Sequence, residues 1–424
     1  MAHFTLRAIS ILFPFRLTLA SQLLTTKFYI PPVRENLVPR AHLVERLHEG
    51  LKAPLTLVSA PAGYGKTTLL AEWHSSIGSE IPTAWLSLDA EDNDLLRFLY
   101  YLIYAIEGMR AGLVSNTVPL LQASPPAPFE AVLARLVNDL SGVTSLADGP
   151  SRDLVLVLDD YYLIVVQAIH EAVAFLLSHL PPAVHLVILT REDPPLPLAK
   201  LRARGEIHEM RGGDLRFSSQ EGETFLASSL GLQLTEPAII ALMERTEGWV
   251  AGLQMAALAM TALQAAQSLQ PASVEQFSSV CEEFVASFRG DDRYIMDFLM
   301  EEVIQRQPKE IQDFLLHTSI LNRLCASLCE AVLGDKGIEA ERFSPNPLSP
   351  VPLTNNQQIL DYLERSNLFI IPLDNKREWY RYHHLFADLL QYRLQRRFPE
   401  RLPELHRRAY HWYRLRGDVE EAMK

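Results

Sequence analysis

Apolar positions along the chain follow two regimes. Up to about residue 215, short near-continuous apolar runs alternate with longer segments whose apolar residues recur at helical spacing. The runs at 55–59, 83–88, 154–158, 185–190 and 207–211 read as five strands, and 95–107, 128–140 and 166–180 read as helices between them. A strand that is apolar on both faces has to be covered on both, so the pattern predicts an α/β fold: a parallel five-stranded sheet with helices on either side. An extended, Pro-punctuated lead-in and a helix over 40–49 deliver the chain to the first strand.

Beyond that point the pattern turns helical. A segment at 218–231 opens on the capping pair Ser218 and Glu221 and closes at Gly231, and 236–245 and 248–261 follow with helical spacing. Amphipathic segments over 291–333 break at Pro308, and 334–352 has several Pro and no period, as a surface loop would. A helix over 357–364, two short strands around Asp374-Asn375-Lys376 and a helix running on from HLFADLL together describe a winged helix. The last thirty residues, 395–424, resemble the first helix pair of a repeat array. The predicted division is therefore an extension (1–20), an α/β domain (21–215) whose first strand leads into a Gly-rich turn, a helical domain (216–285), a winged helix (286–394) and the start of a helical repeat (395–424).

Composition narrows this picture. The 424 residues suffice for about two to four domains, and 48% hydrophobic with 21% charged residues is the balance of a folded globular protein. A formal charge of −12 argues against a nucleic-acid surface over the whole chain. Eight arginines (Arg377, Arg381, Arg393, Arg396, Arg397, Arg401, Arg407 and Arg408) crowd the last region, but Glu400 and Glu404 lie among them, so they are expected on solvated helix faces rather than on DNA. Three cysteines are too few for a disulfide framework and fit a reducing cytoplasm; Cys325 and Cys329 are expected as small core residues, since no His or Cys cluster completes a metal set. The first twenty residues carry Arg7 before an apolar run, as a secretory signal does, but Pro14 and Arg16 interrupt it, so a disordered extension or a non-native start codon is the expectation. No run of about eighteen apolar residues predicts a membrane span.

Chemistry concentrates where the first strand ends. Ala60-Pro61-Ala62-Gly63-Tyr64-Gly65-Lys66-Thr67 follows the phosphate-loop spacing, with Ala at the first Gly position and Thr68 continuing into a helix. Gly63 and Gly65 permit positive φ, so successive backbone N–H groups can face an anion at the helix N-terminus. Lys66 is expected to reach the β- and γ-phosphates and the Thr67 hydroxyl to hold Mg²⁺. The third strand ends in Asp159-Asp160, at the sheet edge where open parallel sheets bind ligands. Asp159 would hold Mg²⁺ and Asp160 would orient or deprotonate an attacking water; the competing reading is a turn that caps the next helix. Arg191 ends the fourth strand and is expected to sense the γ-phosphate, against an alternative in which it pairs with Glu192 or Asp193.

These residues, with KFYIPPVRENLVPR, AWLSLDAEDND, LVLDDYYLI, LTREDPPLPLAKLRARGEI, RTEGWVAGLQMAAL and YRYHHLFADLL in order, resemble the MalT-like, LuxR-type ATP-dependent transcriptional activators of the STAND class of P-loop NTPases. The resemblance spans about residues 21–424. It implies ATP, ADP and Mg²⁺ as ligands, slow hydrolysis, and a nucleotide domain, helical domain and winged helix that close around ADP and open on ATP, with self-association in the ATP state. It also implies that His383 or His384 touches the β-phosphate of ADP, His384 being the candidate carried forward. DNA would be read by a C-terminal helix-turn-helix beyond a repeat sensor; neither lies before Lys424, so a fragment of a split gene or a stand-alone switch module is expected. Competing functions are a ring-forming catalytic or mechanical ATPase of the AAA kind, and a STAND defence or signalling protein with another effector.

Overall fold

A computed structural model describes residues 23–33, 37–78, 80–123, 127–146, 153–230, 234–267, 284–285, 288–290, 292–334 and 355–418. The expected extension at 1–20 and most of the expected loop at 334–352 lie outside the described residues. The chain forms two compact units, one of Met1–Arg34, Pro39–Ser59 and Lys66–Arg211, the other of Glu35–Val38, Ala60–Gly65 and Gly212–Lys424.

The first unit is the predicted α/β layer. Its strands are β1 (Leu55–Ser59), β2 (Thr83–Ser87), β3 (Leu154–Asp159), β4 (Val184–Thr190) and β5 (Ile207–Arg211), all parallel in the order β2-β3-β4-β1-β5. Strands β1, β3 and β4 are buried along their whole length, which is why their sequences are continuous apolar runs rather than alternating ones. Around the sheet pack the helices α1 (Ala41–Glu49), α2 (Lys66–Ile77), α3 (Leu95–Met109), α4 (Phe129–Leu146), α5 (Gln167–His179) and α6 (Leu198–Arg204). The pairs Ser59↔Thr190, Ser59↔Arg211 and Ser87↔Asp159 put those five residues on one carboxyl edge.

The lead-in is fastened to this layer by charge. Its turn Thr25–Phe28 buries Lys27, whose ammonium lies 2.5 Å from Asp92 and 2.7 Å from Asp89 and 4.6 Å over the ring of Tyr101. Asp92 is fully buried, so desolvation would disfavour its charge without a cation beside it; Lys27 and Arg97 supply one each.

Among the described residues the second unit is helical apart from one hairpin. Its helices are α7 (Ser219–Leu230), α8 (Glu236–Thr246), α9 (Val250–Gln267), α10 (Arg293–Leu299), α11 (Lys309–Thr318), α12 (Ala326–Leu333), α13 (Asn356–Arg365), α14 (His384–Arg397) and α15 (Leu402–Leu415). The hairpin pairs β6 (Ile370–Pro372) antiparallel with β7 (Tyr380–Tyr382), and Asp374 accepts from the N–H groups of Lys376, Glu378 and Trp379 to close its turn. Helices α11, α12 and α13, the hairpin and α14 form a winged helix around Phe314, Leu328, Leu360, Tyr380, Leu385 and Phe386.

Arg377, Arg396, Arg397, Arg401 and Arg407 are exposed as expected, whereas Arg408 and Arg381 reach partners within the fold. Arg408 donates to the carbonyls of Val332 and Leu333 at 3.1 and 3.0 Å, satisfying the C-terminal turn of α12, and Arg381 binds both oxygens of Glu247. Charge spacing along a helix identifies neighbours on that helix alone, and these partners are 75 or more positions away. Cys325 and Cys329 are buried in α12 and its cap, as expected of core residues.

Candidate functional site

The carboxyl ends of β3 and β4 and the first turn of α2 bring five of the predicted residues together: Asp159, Asp160, Arg191, Lys66 and Thr67. Thr67 sits in the first turn of α2, and its hydroxyl donates to the Asp159 carboxylate, 3.0 Å from one oxygen and 3.2 Å from the other. Asp159 also accepts the backbone N–H of Asp160 at 2.9 Å. Asp160 adopts the left-handed conformation (φ 56°), which Asp tolerates better than most residues. That kink ends the strand and starts a short helical turn, Tyr161–Leu163. The turn itself is anchored by Tyr161, fully buried with its hydroxyl 2.9 Å from Nδ1 of His170. The predicted capping reading is thus met in backbone terms, while the side chain of Asp160 makes no capping bond to this turn.

Burial shifts the titration of both Lys66 and Asp159 in this cluster. Lys66 is 9% exposed, and burial together with the Arg191 charge pulls its ammonium down to about 8, with Asp160 and Asp159 pulling the other way. Burial, then the neighbouring Asp160 carboxylate, raises Asp159 to about 6, although the Thr67 hydroxyl favours its charged form. Arg191 lies with its guanidinium 4.5 Å over the ring of Tyr162, and Asp193, one of its two expected partners, is engaged by Arg211 and Arg202. A buried cation beside a hydroxyl and two carboxylates is the donor set that a polyphosphate and a hard divalent cation require. Among the described residues no group of three or more His, Cys, Asp or Glu could hold a metal by itself, so an ion at Thr67 and Asp159 would need phosphate and water oxygens as its remaining ligands.

Between β1 and α2 the chain passes through the turn 60–65. Gly63 and Gly65 both have φ of 77°, so the two glycines supply the left-handed geometry for which the motif selects them. A side chain at Gly65 would meet nothing within 4 Å, whereas one at Gly63 would collide with Ala251 and the indole of Trp249. Ala60, Pro61, Ala62 and Tyr64 are buried and Thr68 is half-buried. The carbonyl of Ala62 accepts from Trp249 Nε1 at 3.0 Å and that of Gly63 from the N–H of Ala251 at 3.0 Å. Sequence reasoning missed Trp249 and Ala251 as partners of this turn; the run Gly248-Trp249-Val250-Ala251-Gly252 read only as the start of a segment with helical spacing.

The two histidines of the winged helix separate. His383 is buried, with Nε2 2.9 Å from the carbonyl of Thr246, and burial lowers it to about 4, so it is neutral. His384 begins α14 with its side chain exposed; its N–H donates to Glu247 at 3.0 Å and its Nδ1 lies 3.4 Å from the Glu244 carbonyl.

Sequence and fold comparisons agree with this construction. Residues 300–402 match the family model of the MalT winged helix domain. The HTH-type transcriptional regulator MalT of Yersinia pestis (strain Pestoides F) is 35% identical over 396 residues, covering 92% of this chain and 39% of its own length. MalT of Yersinia enterocolitica (serotype O:8 / biotype 1B) is 35% identical over 393 residues with the same coverage. The chain thus spans about two-fifths of the length of these relatives. Among solved structures, a Walker-type ATPase of Pyrococcus abyssi superposes with a TM-score of 0.51 at 16% identity, over 86% of this chain and 99% of that one. With the five-stranded parallel sheet of a P-loop ATPase fold, a MalT winged helix domain over residues 300–402 and 35% identity along 92% of its residues, the chain is similar to the MalT-type regulators.

Proposed function

We propose that the chain is the ATP/ADP-binding switch of a MalT-type transcriptional regulator, working in the cytoplasm. The observation that carries the reading is the buried cluster at the sheet edge: Lys66 with a depressed ammonium, and Thr67 hydrogen-bonded to an Asp159 carboxylate that burial makes costly to ionise. Such a cluster is relieved by a polyanion and a divalent cation, so a nucleotide would be its natural complement. In this reading the turn 60–65 and Lys66 hold the phosphates, Thr67 and Asp159 hold Mg²⁺, Asp160 orients water, Arg191 senses the γ-phosphate, and a winged-helix histidine, His384 or His383, touches the β-phosphate of ADP. Hydrolysis is slow, and the ATP state self-associates. The relatives are named for a helix-turn-helix; DNA contact is assigned to such a domain and not to residues 1–424.

The test is the nucleotide content of the purified chain. Tightly held ADP, lost on Lys66→Ala, with slow turnover and a larger particle in ATP than in ADP, is expected. Equal nucleotide retention by Lys66→Ala would remove the phosphates from this site. Rapid steady-state turnover without an inducer would point instead to a catalytic ATPase.

A further inference from the structure

We propose that Trp249 is a positioning residue for the phosphate-binding turn, and that it makes the aim of the turn's amides depend on how the winged-helix hairpin is seated. The inference rests on the nucleotide reading above. All the residues it uses lie in the second compact unit, to which Ala60–Gly65 and Gly212–Lys424 both belong.

Peptide geometry supplies the first step. In a trans peptide the C=O of one residue and the N–H of the next point in opposite directions across one rigid plane. Trp249 Nε1 holds the carbonyl of Ala62 and the Ala251 N–H holds that of Gly63, each at 3.0 Å. Fixing those two carbonyls toward α9 turns the N–H groups of Gly63 and Tyr64 away from it, the side on which an anion would be cradled. Gly63 is required for the approach: its φ of 77° and the collision its Cβ would make with Ala251 and Trp249 exclude a side chain.

The hairpin supplies the second step. Trp249 is fully buried, and its ring meets Phe369 at 5.1 Å and His383 at 6.0 Å, both edge to face. Phe369 immediately precedes β6 and His383 immediately follows β7, and the His383 N–H donates to the Phe369 carbonyl at 2.8 Å. Phe369 also tilts against Tyr64 at 6.4 Å, so one aromatic touches both the turn and the residue that holds it. Its φ of 54° is costly for an aromatic residue and persists because the surroundings impose it. A hairpin that shifted would withdraw Phe369 and His383 from the indole, leaving the Nε1 donor free to swing off the Ala62 carbonyl.

The experiment measures release of a fluorescent ADP analogue from the full chain and four variants, with Lys66→Ala as the reference for nucleotide binding itself. Trp249→Phe keeps a buried ring and deletes the donor; binding about five- to twentyfold weaker is expected, whereas a ring that only packs would leave affinity at wild type. Phe369→Leu should weaken binding several-fold in the wild-type background and by less than half that factor beside Trp249→Phe, because the hairpin acts through the indole. Independent, multiplicative effects would overturn the proposal, as would wild-type affinity in Trp249→Phe. Should that variant not fold, Ala251→Pro removes the other donor at the second position of α9, a position where Pro237 and Pro403 already stand in α8 and α15, and the same loss is expected. A wild-type chain that binds no nucleotide, unchanged by Lys66→Ala, would end the underlying reading; binding abolished by Lys66→Ala but untouched by Trp249→Phe and Ala251→Pro would end this inference alone.

Discussion

Thr67 and Asp159, 92 positions apart, share one hydrogen: the threonine hydroxyl donates to the carboxylate, 3.0 and 3.2 Å from its two oxygens. An asparagine could accept the same hydrogen without a buried charge, which separates the structural role of position 159 from its ionic one. Asp159→Asn is therefore expected to keep the fold, to lose the dependence of nucleotide affinity on Mg²⁺, and to hydrolyse at least ~100-fold more slowly. Its stability should also report the carboxylate. The native carboxyl is raised to about 6 from 3.8, so the neutral acid's advantage is complete below pH 3.8 and is lost as pH rises through 6. The melting temperature of the ligand-free variant relative to wild type should climb between pH 4 and pH 7. An Asn variant with full Mg²⁺ dependence would show that the ion binds elsewhere.

Lys66 gives a prediction of opposite sign. Its ammonium is lowered to about 8 from 10.5 by burial and then Arg191, so the charged form costs stability at all pH below 8, and the cost disappears as pH rises from 8 toward 10.5. Lys66→Met should stabilise the ligand-free chain at pH 7 by about 1–2 kcal/mol and lose that advantage by pH 10, a site built for binding at the expense of stability. Bound phosphate restores the proton. Titration calorimetry at pH 8 in buffers of different ionisation heat should find uptake of about half a proton per nucleotide, and affinity should fall about tenfold per unit above pH 8. No proton uptake at pH 8 would mean that the bound phosphates leave Lys66 alone.

How far the sequence carries is visible in these same residues. The turn 60–67 and the acid-ended strand were legible because each is local: a spacing fixed by backbone geometry at Gly63 and Gly65, and an apolar run ending in Asp159. Strands β1, β3 and β4 were legible for the same reason, since burial on both faces leaves an unbroken apolar signature, whereas β5, IHEMR at the sheet edge, is only partly buried. The short helix Leu198–Arg204 was not, because seven residues after three prolines carry too little periodicity. Trp249 reaching the carbonyl of Ala62 spans 187 positions, and Arg381 reaching Glu247 spans 134. Nothing in local periodicity encodes such a pairing. A Trp inside a run of small residues was the one available hint, because a buried indole N–H needs an acceptor.

Arg381 and Glu247 make the last prediction. Both guanidinium nitrogens bond the carboxylate, at 2.7 and 2.8 Å, and Glu247 is 6% exposed and left-handed at φ 49°, directly after α8. Burial would raise its carboxyl, but Arg381, His383 and the His384 N–H override it and hold the group at about 2. Because the native value is depressed below 4.5, the stabilisation is present above that pH and is lost as pH falls toward 2. Arg381→Ala should destabilise the chain by about 2–3 kcal/mol at neutral pH, since removing the bidentate partner leaves a desolvated charge offset by Arg216, 3.5 Å away, and the His384 N–H. Arg381→Lys should recover less than half, because one ammonium cannot span both oxygens. The variant's acid limb should flatten, the difference from wild type shrinking below pH 4, as denaturant melts across pH 2.5–7 would register. If Arg381→Ala melts as wild type does at pH 7, β7 is held to the end of α8 by packing alone, and the pair contributes geometry without energy.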